Sequence, residues 1–129
     1  AADYYSKSEA AFMNAVKLAP DNAGFNYNFG ALYFNQATDY NNQINAITGS
    51  SAADMKKYDE LKGKRDALFG KASPYFEKSF AALSPNESSL KGEDLKTYKS
   101  TLLALNKIYV IQSKLDKAAD MKKRMDLLN

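Results

Sequence analysis

The chain has 129 residues, 18 basic and 15 acidic side chains, and neither cysteine nor histidine. Disulfides, thiolate nucleophiles, Cys/His zinc sites and histidine-based triads are therefore excluded. The length is that of one domain, able to bury about two thirds of its unfolded surface, and no run approaches the ~18 apolar residues of a membrane span. No basic-then-apolar leader opens the chain. The first residues, "AADYYSKSEAAF", are already helical in pattern, as expected of a mature terminus after export or of a domain within a longer protein. Absence of cysteine suits a reducing or an oxidising compartment equally, so localisation stays open. The net charge of +3 comes from interleaved signs, as in "MKKYDELKGKRD", which reads as a solvated helix face. The densest basic run, "MKKRMD" at Met121–Asp126, has no groove-reading motif beside it, so no nucleic-acid partner is expected.

Helical periodicity runs through nearly every segment, and no stretch alternates as a strand does. In the first helix, Tyr5, Phe12, Ala15, Val16 and Leu18 are expected to share a face. "LAPDNAG" ends it, with Pro20 as breaker and Asp21 or Asn22 as the next cap. The second helix carries Phe25, Phe29, Leu32, Tyr33, Tyr40, Ile44 and Ile47 at three- and four-residue steps. It should end at "TGSS", with Gly49 in a left-handed position and Ser51 and Asp54 forming a capping box. A third helix over residues 52–83 carries Met55, Tyr58, Leu61, Leu68, Phe69, Ala72, Phe76, Phe80 and Leu83, and Pro74 should kink it. "LSPNESSLKG" reads as a loop. A fourth helix over residues 93–112 presents Leu95, Tyr98, Leu102, Leu105 and Tyr109. The last, in "KLDKAADMKKRMDLL", presents Leu115, Ala118, Met121 and Met125. Five helices joined by short turns make an all-α protein.

Two segments are alike. "NYNFGALY" places Phe29, Gly30 and Tyr33 at the spacing that "LLALNKIY" gives to Leu105, Asn106 and Tyr109. Ser8, Phe12, Ala15 and Pro20 of the first helix, Ala72, Phe76 and Pro85 of the third, and Ala118 of the fifth complete the pattern. The chain thereby resembles the tetratricopeptide repeat, in a degenerate, bacterial-type form. Asn26 and Leu102 stand where a tryptophan is often found. Asn106 replaces the small glycine, and Lys122 replaces an aromatic. The resemblance implies a right-handed α-solenoid of antiparallel helix pairs within a single domain: a half repeat at 1–20, a repeat at 22–85 and a C-terminal repeat at 93–129. Gly30 and Asn106 lie 76 residues apart, about 42 more than the usual 34. Most of that excess falls between Gly30 and Ala72, which the repeat sets in contact. An antiparallel pair joined there turns near residue 51, where the turn chemistry also lies. The insertion should therefore lengthen both helices of one hairpin by about four turns, roughly 22 Å, with Ile44 and Ile47 meeting Met55 and Tyr58 at the tip.

The same resemblance implies a concave groove lined by the first helix of each repeat. Tyr27, Ala31 and Phe34 match groove positions in one repeat, and Leu103, Lys107 and Val110 in the other. Tyr27 and Phe34 have an alternative, which is to pack on Phe12 and Tyr5 as core. Asn28, Asn35 and Asn42 recur every seven residues, and their amides both donate and accept, as holding a peptide backbone requires; ordinary solvation is the favoured account of them. Tyr27 and Ala31 occupy places that the family's clamp for a terminal carboxylate gives to other residues, so that clamp is not expected. The carboxylate pairs Asp59–Glu60 and Glu93–Asp94 point to different helix faces, and no phosphate-binding glycine loop is present. The sequence thus points to a non-enzymatic scaffold without cofactor or metal. It would bind a protein or peptide through Tyr27, Asn28, Phe34, Asn35, Leu103 and Lys107. The alternatives are a structural section of a longer solenoid, favoured by the opening half repeat, and an accessory substrate-binding domain of a larger assembly.

Overall fold

The computed structural model describes residues 2–128, whose regular structure is entirely helical. Five α-helices follow one another: α1 (Ala2–Leu18), α2 (Ala23–Asn45), α3 (Ala52–Leu83), α4 (Gly92–Ile111) and α5 (Leu115–Leu128). Each packs on the next, and α2 also touches α4.

Between α1 and α2 the expected signals operate. Pro20 follows the end of α1, and the Asn22 side chain accepts the Phe25 N–H at 2.9 Å, satisfying one orphan donor of the new helix. Val16 is buried and Phe12 half-buried, but Leu18 is 78% exposed. Two residues of α-helix are a 200° rotation, so Leu18 cannot share the inward face of Val16. Polar contacts hold α1 as well as apolar ones: the Tyr5 hydroxyl donates to Asp39 and the Tyr33 hydroxyl to Glu9, both at 2.5 Å.

The α2–α3 hairpin is the largest unit. Helix α2 stops at Asn45, short of Ile47, and the Ala46 N–H is shared among the carbonyls of Asn42, Gln43 and Ile44. Gly49 does not take the expected left-handed conformation, since Gly92 alone among the described glycines has positive φ. Space explains Gly49 instead: a Cβ there would lie 2.2 Å from Asp54 Oδ2. That carboxylate is committed to the capping box that starts α3, with Asp54 N–H donating to Ser51 Oγ at 3.1 Å and Ser51 N–H to Asp54 Oδ2 at 3.2 Å. Helix α3 runs on through Pro74 without interruption.

Cross-hairpin contacts set an antiparallel register. Phe29 stacks on Tyr75 with centroids 4.3 Å apart, Phe34 meets Phe69 edge-on at 5.2 Å, and Arg65 donates to Asn41 at 2.9 Å. Gly30 is buried where a Cβ would come within 3.1–3.2 Å of the Phe76 ring, so the missing side chain permits the approach. Burying a ring such as Phe76 contributes about 1.5–3 kcal/mol. Toward the tip, this register sets Ile44 level with Leu61, and both are buried. Met55, expected against Ile44, is 50% exposed, and Tyr58 is 37% exposed. The expected closure thus falls about one to two turns further back along α3.

Residues 84–89, expected as loop, form a short 3-10 helix. Its Glu87 accepts from the Tyr98 hydroxyl and pairs with Arg124 at 3.3 Å, while the Arg124 guanidinium lies 5.1 Å from the Phe80 ring centroid. The basic run near the C-terminus is therefore not wholly a solvated face. Helix α4 begins at Gly92, whose φ of 58° favours glycine. It ends in a paired-bond cap: Ser113 N–H donates to Val110 C=O at 3.0 Å and Lys114 N–H to Tyr109 C=O at 2.8 Å. Ser113 adopts φ 59° without being glycine. Against α5, the Asn106 amide donates to the Ala118 carbonyl at 2.7 Å. Leu115, expected inward, is 65% exposed, while Ala118 and Met121 are buried. The core centres on Phe29, Phe76, Tyr98, Leu102, Leu105 and Ile108, all fully buried, and the buried hydroxyls of Ser79 and Thr101 satisfy each other at 3.2 Å.

Candidate functional site

Helices α2 and α4 both pack on α3 and touch each other, leaving two adjoining depressions between them. The first, of about 180 Å³, has Tyr27, Ala31, Phe34 and Asn35 of α2 on one wall. Ser100, Leu103, Ala104 and Lys107 of α4 form the other wall, with Phe76 of α3 beneath. The second, of about 460 Å³, lies between Phe34, Thr38 and Asn41 on one side and Asn106, Lys107, Val110 and Ile111 on the other, over Phe69. Phe34 and Lys107 line both, so the depressions form one groove with these residues at its middle.

Five of the six residues singled out in the sequence, Tyr27, Phe34, Asn35, Leu103 and Lys107, line the first depression. Asn28 does not. It is exposed but lies two turns from Asn35 and outside the walls. A seven-residue strip drifts about 20° per heptad around a straight helix, so Asn28, Asn35 and Asn42 do not follow one line into the groove. Thr38 and Asn41, at three-residue steps from Asn35, take the expected place of Asn42.

Tyr27 and Phe34 are half-buried, and their rings meet α3 rather than α1. Tyr27 meets Phe76 edge-on at 5.7 Å, and Phe34 meets Phe69 at 5.2 Å and Phe76 at 6.1 Å. Each ring is core on one edge and groove wall on the other. Edge-to-face packing of this kind contributes about 0.5–1.5 kcal/mol beyond area burial, which fixes the walls in place. The rim is apolar and accessible: Leu103 is 47% exposed, Val110 51% and Ile111 39%.

No Asp or Glu is among the residues lining either depression. Among the described residues, no carboxylate lies within ion-pair distance of Lys107. A third hollow beside Leu103 adds Lys99 and Met125. The groove therefore carries positive charge on an apolar surface. The shifted tyrosines lie elsewhere: burial, then the Glu87 hydrogen bond, pushes Tyr98 up to about 12, and burial, then Glu77, does the same to Tyr109.

Ser100, Thr38, Asn41 and Ile111 were not singled out in the sequence. Helical stepping from Leu103, Lys107 and Asn35 reaches all four, Ile111 lying four residues after Lys107. Ile111 is apolar and close to the helix end, and nothing local separates it from core. The pairs Asp59–Glu60 and Glu93–Asp94 are exposed and outside the groove. Among the described residues, no three carboxylates are grouped so as to hold a metal ion, and no helix is long and apolar enough to cross a membrane. The groove offers apolar surface, the Asn35 amide, the Ser100 hydroxyl and the Lys107 ammonium. Comparison with protein-family models, curated proteins and solved structures finds no match.

Proposed function

We propose that the protein is a non-catalytic scaffold that holds a protein or peptide in the α2–α4 groove, built as a right-handed tetratricopeptide-type solenoid with one extended hairpin. One observation carries the reading: residues 76 positions apart in register, such as Tyr27 with Leu103 and Ala31 with Lys107, face each other across one depression. Helix packing supports the solenoid, because the larger contacts run between chain neighbours and between α2 and α4. The close approaches agree as well. Gly30 admits Phe76 in one pair, and Asn106 binds the Ala118 carbonyl in the other. Apolar anchors on rigid helices bind at small entropic cost.

The test is affinity capture from native extract, comparing wild type with a Leu103→Glu/Lys107→Glu variant. Both residues are exposed, so the variant should still melt cooperatively. Partners recovered by wild type and lost by the variant support the reading; equal recovery refutes it. A second reading, a section of a longer array, draws on α1, where Tyr4, Ala11 and Leu18 are exposed at seven-residue spacing. In that case the chain should lose association on Tyr4→Ser/Leu18→Gln substitution while the groove variant keeps it.

A further inference from the structure

Resting on the reading of the α2–α4 groove as a peptide site, the chemistry of its walls narrows the class of peptide. Lys107 lines both depressions, and no wall residue supplies a carboxylate to neutralise it. The complementary ligand is therefore acidic. Lys107 also lies between Leu103 and Val110, at the middle of the groove. A terminal carboxylate placed on Lys107 would end the peptide there and leave one depression empty, whereas a side-chain carboxylate lets the chain continue through both.

The backbone conformation follows from unengaged hydrogen-bonding groups. Among the described residues, the Asn35 amide and the Ser100 hydroxyl have no protein hydrogen-bond partner, and both line the first depression. An extended chain presents an N–H and a C=O at each residue that need partners, while a helix satisfies most of its own. From Leu103 to Val110 the α4 wall rises about 10 Å, roughly three residues of extended chain. The depressions differ in size, about 180 and 460 Å³, and so suit a smaller and a larger side chain.

We infer that the groove takes an internal, extended segment of an acidic partner. One Asp or Glu faces Lys107, between a small apolar residue beside Leu103 and a large one between Phe34 and Val110. The charge contributes modestly because Lys107 is exposed, so selectivity rests on the three contacts together.

The test is display selection of random peptides, embedded internally in a carrier, on the full chain. Selected sequences are remade as capped peptides and measured by fluorescence anisotropy on wild type, Val110→Glu and Lys107→Gln, each first shown to melt cooperatively. Expected are peptides that lose binding on Val110→Glu and carry the apolar–acidic–apolar pattern. Their binding should weaken about three- to fivefold on replacing the acid by its amide, by a similar factor on Lys107→Gln, and further with added salt. Groove-dependent peptides that are neutral or basic, that bind better when stapled as helices, or that require a free C-terminal carboxylate overturn the inference and leave the groove reading intact. Finding no peptide sensitive to Val110→Glu overturns both.

Discussion

Two glycines in helical positions offer a matched test of the hairpin packing. Gly63 of α3 is exposed, and a Cβ there meets nothing within 4 Å; Gly30 of α2 is buried, and its Cβ would lie 3.1–3.2 Å from three atoms of the Phe76 ring. Alanine gains up to about 1 kcal/mol over glycine in a helix interior, so Gly63→Ala should stabilise by about 0.5–1 kcal/mol. Gly30→Ala has the same intrinsic gain but must displace Phe76 by a few tenths of an ångström. That ring is buried and held by Tyr27 and Phe34 on its edges, so overpacking costs about 1–3 kcal/mol. The two variants should therefore differ by about 1–3 kcal/mol, with Gly30→Ala near neutral or destabilised by up to about 2. Denaturant midpoints at unchanged m measure the difference, and for this length each kcal/mol corresponds to about 3–5 °C in Tm. Equal stabilisation by both substitutions would refute the close approach of α2 to α3 at Phe76.

Ser113→Gly should stabilise by about 1 kcal/mol, because glycine adopts the left-handed cap at φ 59° without the Cβ clash; no change in chemical denaturation would argue against that cap. Ser51→Ala removes one arm of the capping box and should cost about 1 kcal/mol. Gly49→Ala, by evicting Asp54, should cost a comparable amount, and the double variant less than the sum. At alkaline pH, Tyr5 is pushed up to about 12, first by its hydrogen bond to Asp39, as are Tyr98 and Tyr109, first by burial. Burial and then Glu9 raise Tyr33 further. Because the folded state favours the neutral phenols, their contribution is complete below the unfolded value of 10.0 and is lost as pH rises through about 12. Denaturation midpoints should fall over that window, and less steeply in Tyr5→Phe/Tyr33→Phe; a phenolate titration showing no late-ionising tyrosines would contradict this.

Legibility in the sequence tracked how local the cause was. The limits of α3 could be read to the residue at its start because Ser51 and Asp54 cap it through contacts within four positions. The hairpin's turn was readable because Gly30 marks close approach across the pair, but its register was not: Gly30 admits Phe76, one turn beyond Ala72, and the tip contacts shift with it. The end of α2 was misplaced by two residues, since no glycine enforces a left-handed stop and the last N–H is shared among three carbonyls. Residues 84–89 looked like loop because Ser, Pro and Asn dominate them. Their order depends on Glu87 meeting Tyr98 and Arg124, 11 and 37 residues away, which composition does not encode. In the groove, residues of the two alike segments were found, whereas Asn28 was misplaced by helical drift and Ile111 was not told apart from its core-like neighbours.

Phe76 touches three things at once: the bare backbone at Gly30, the rings of Tyr27 and Phe34, and the open space of the first depression. The floor of the groove is therefore also the keystone of the hairpin, and any change there spends folding stability. Leu103, Lys107, Val110 and Asn35 stand on the rim with little packing to lose. On the proposed reading, such a surface could exchange one ligand for another by drift at the rim alone, with the packing below left unaltered. Engineering of new specificities should follow the same division, randomising the rim and leaving the floor as it is.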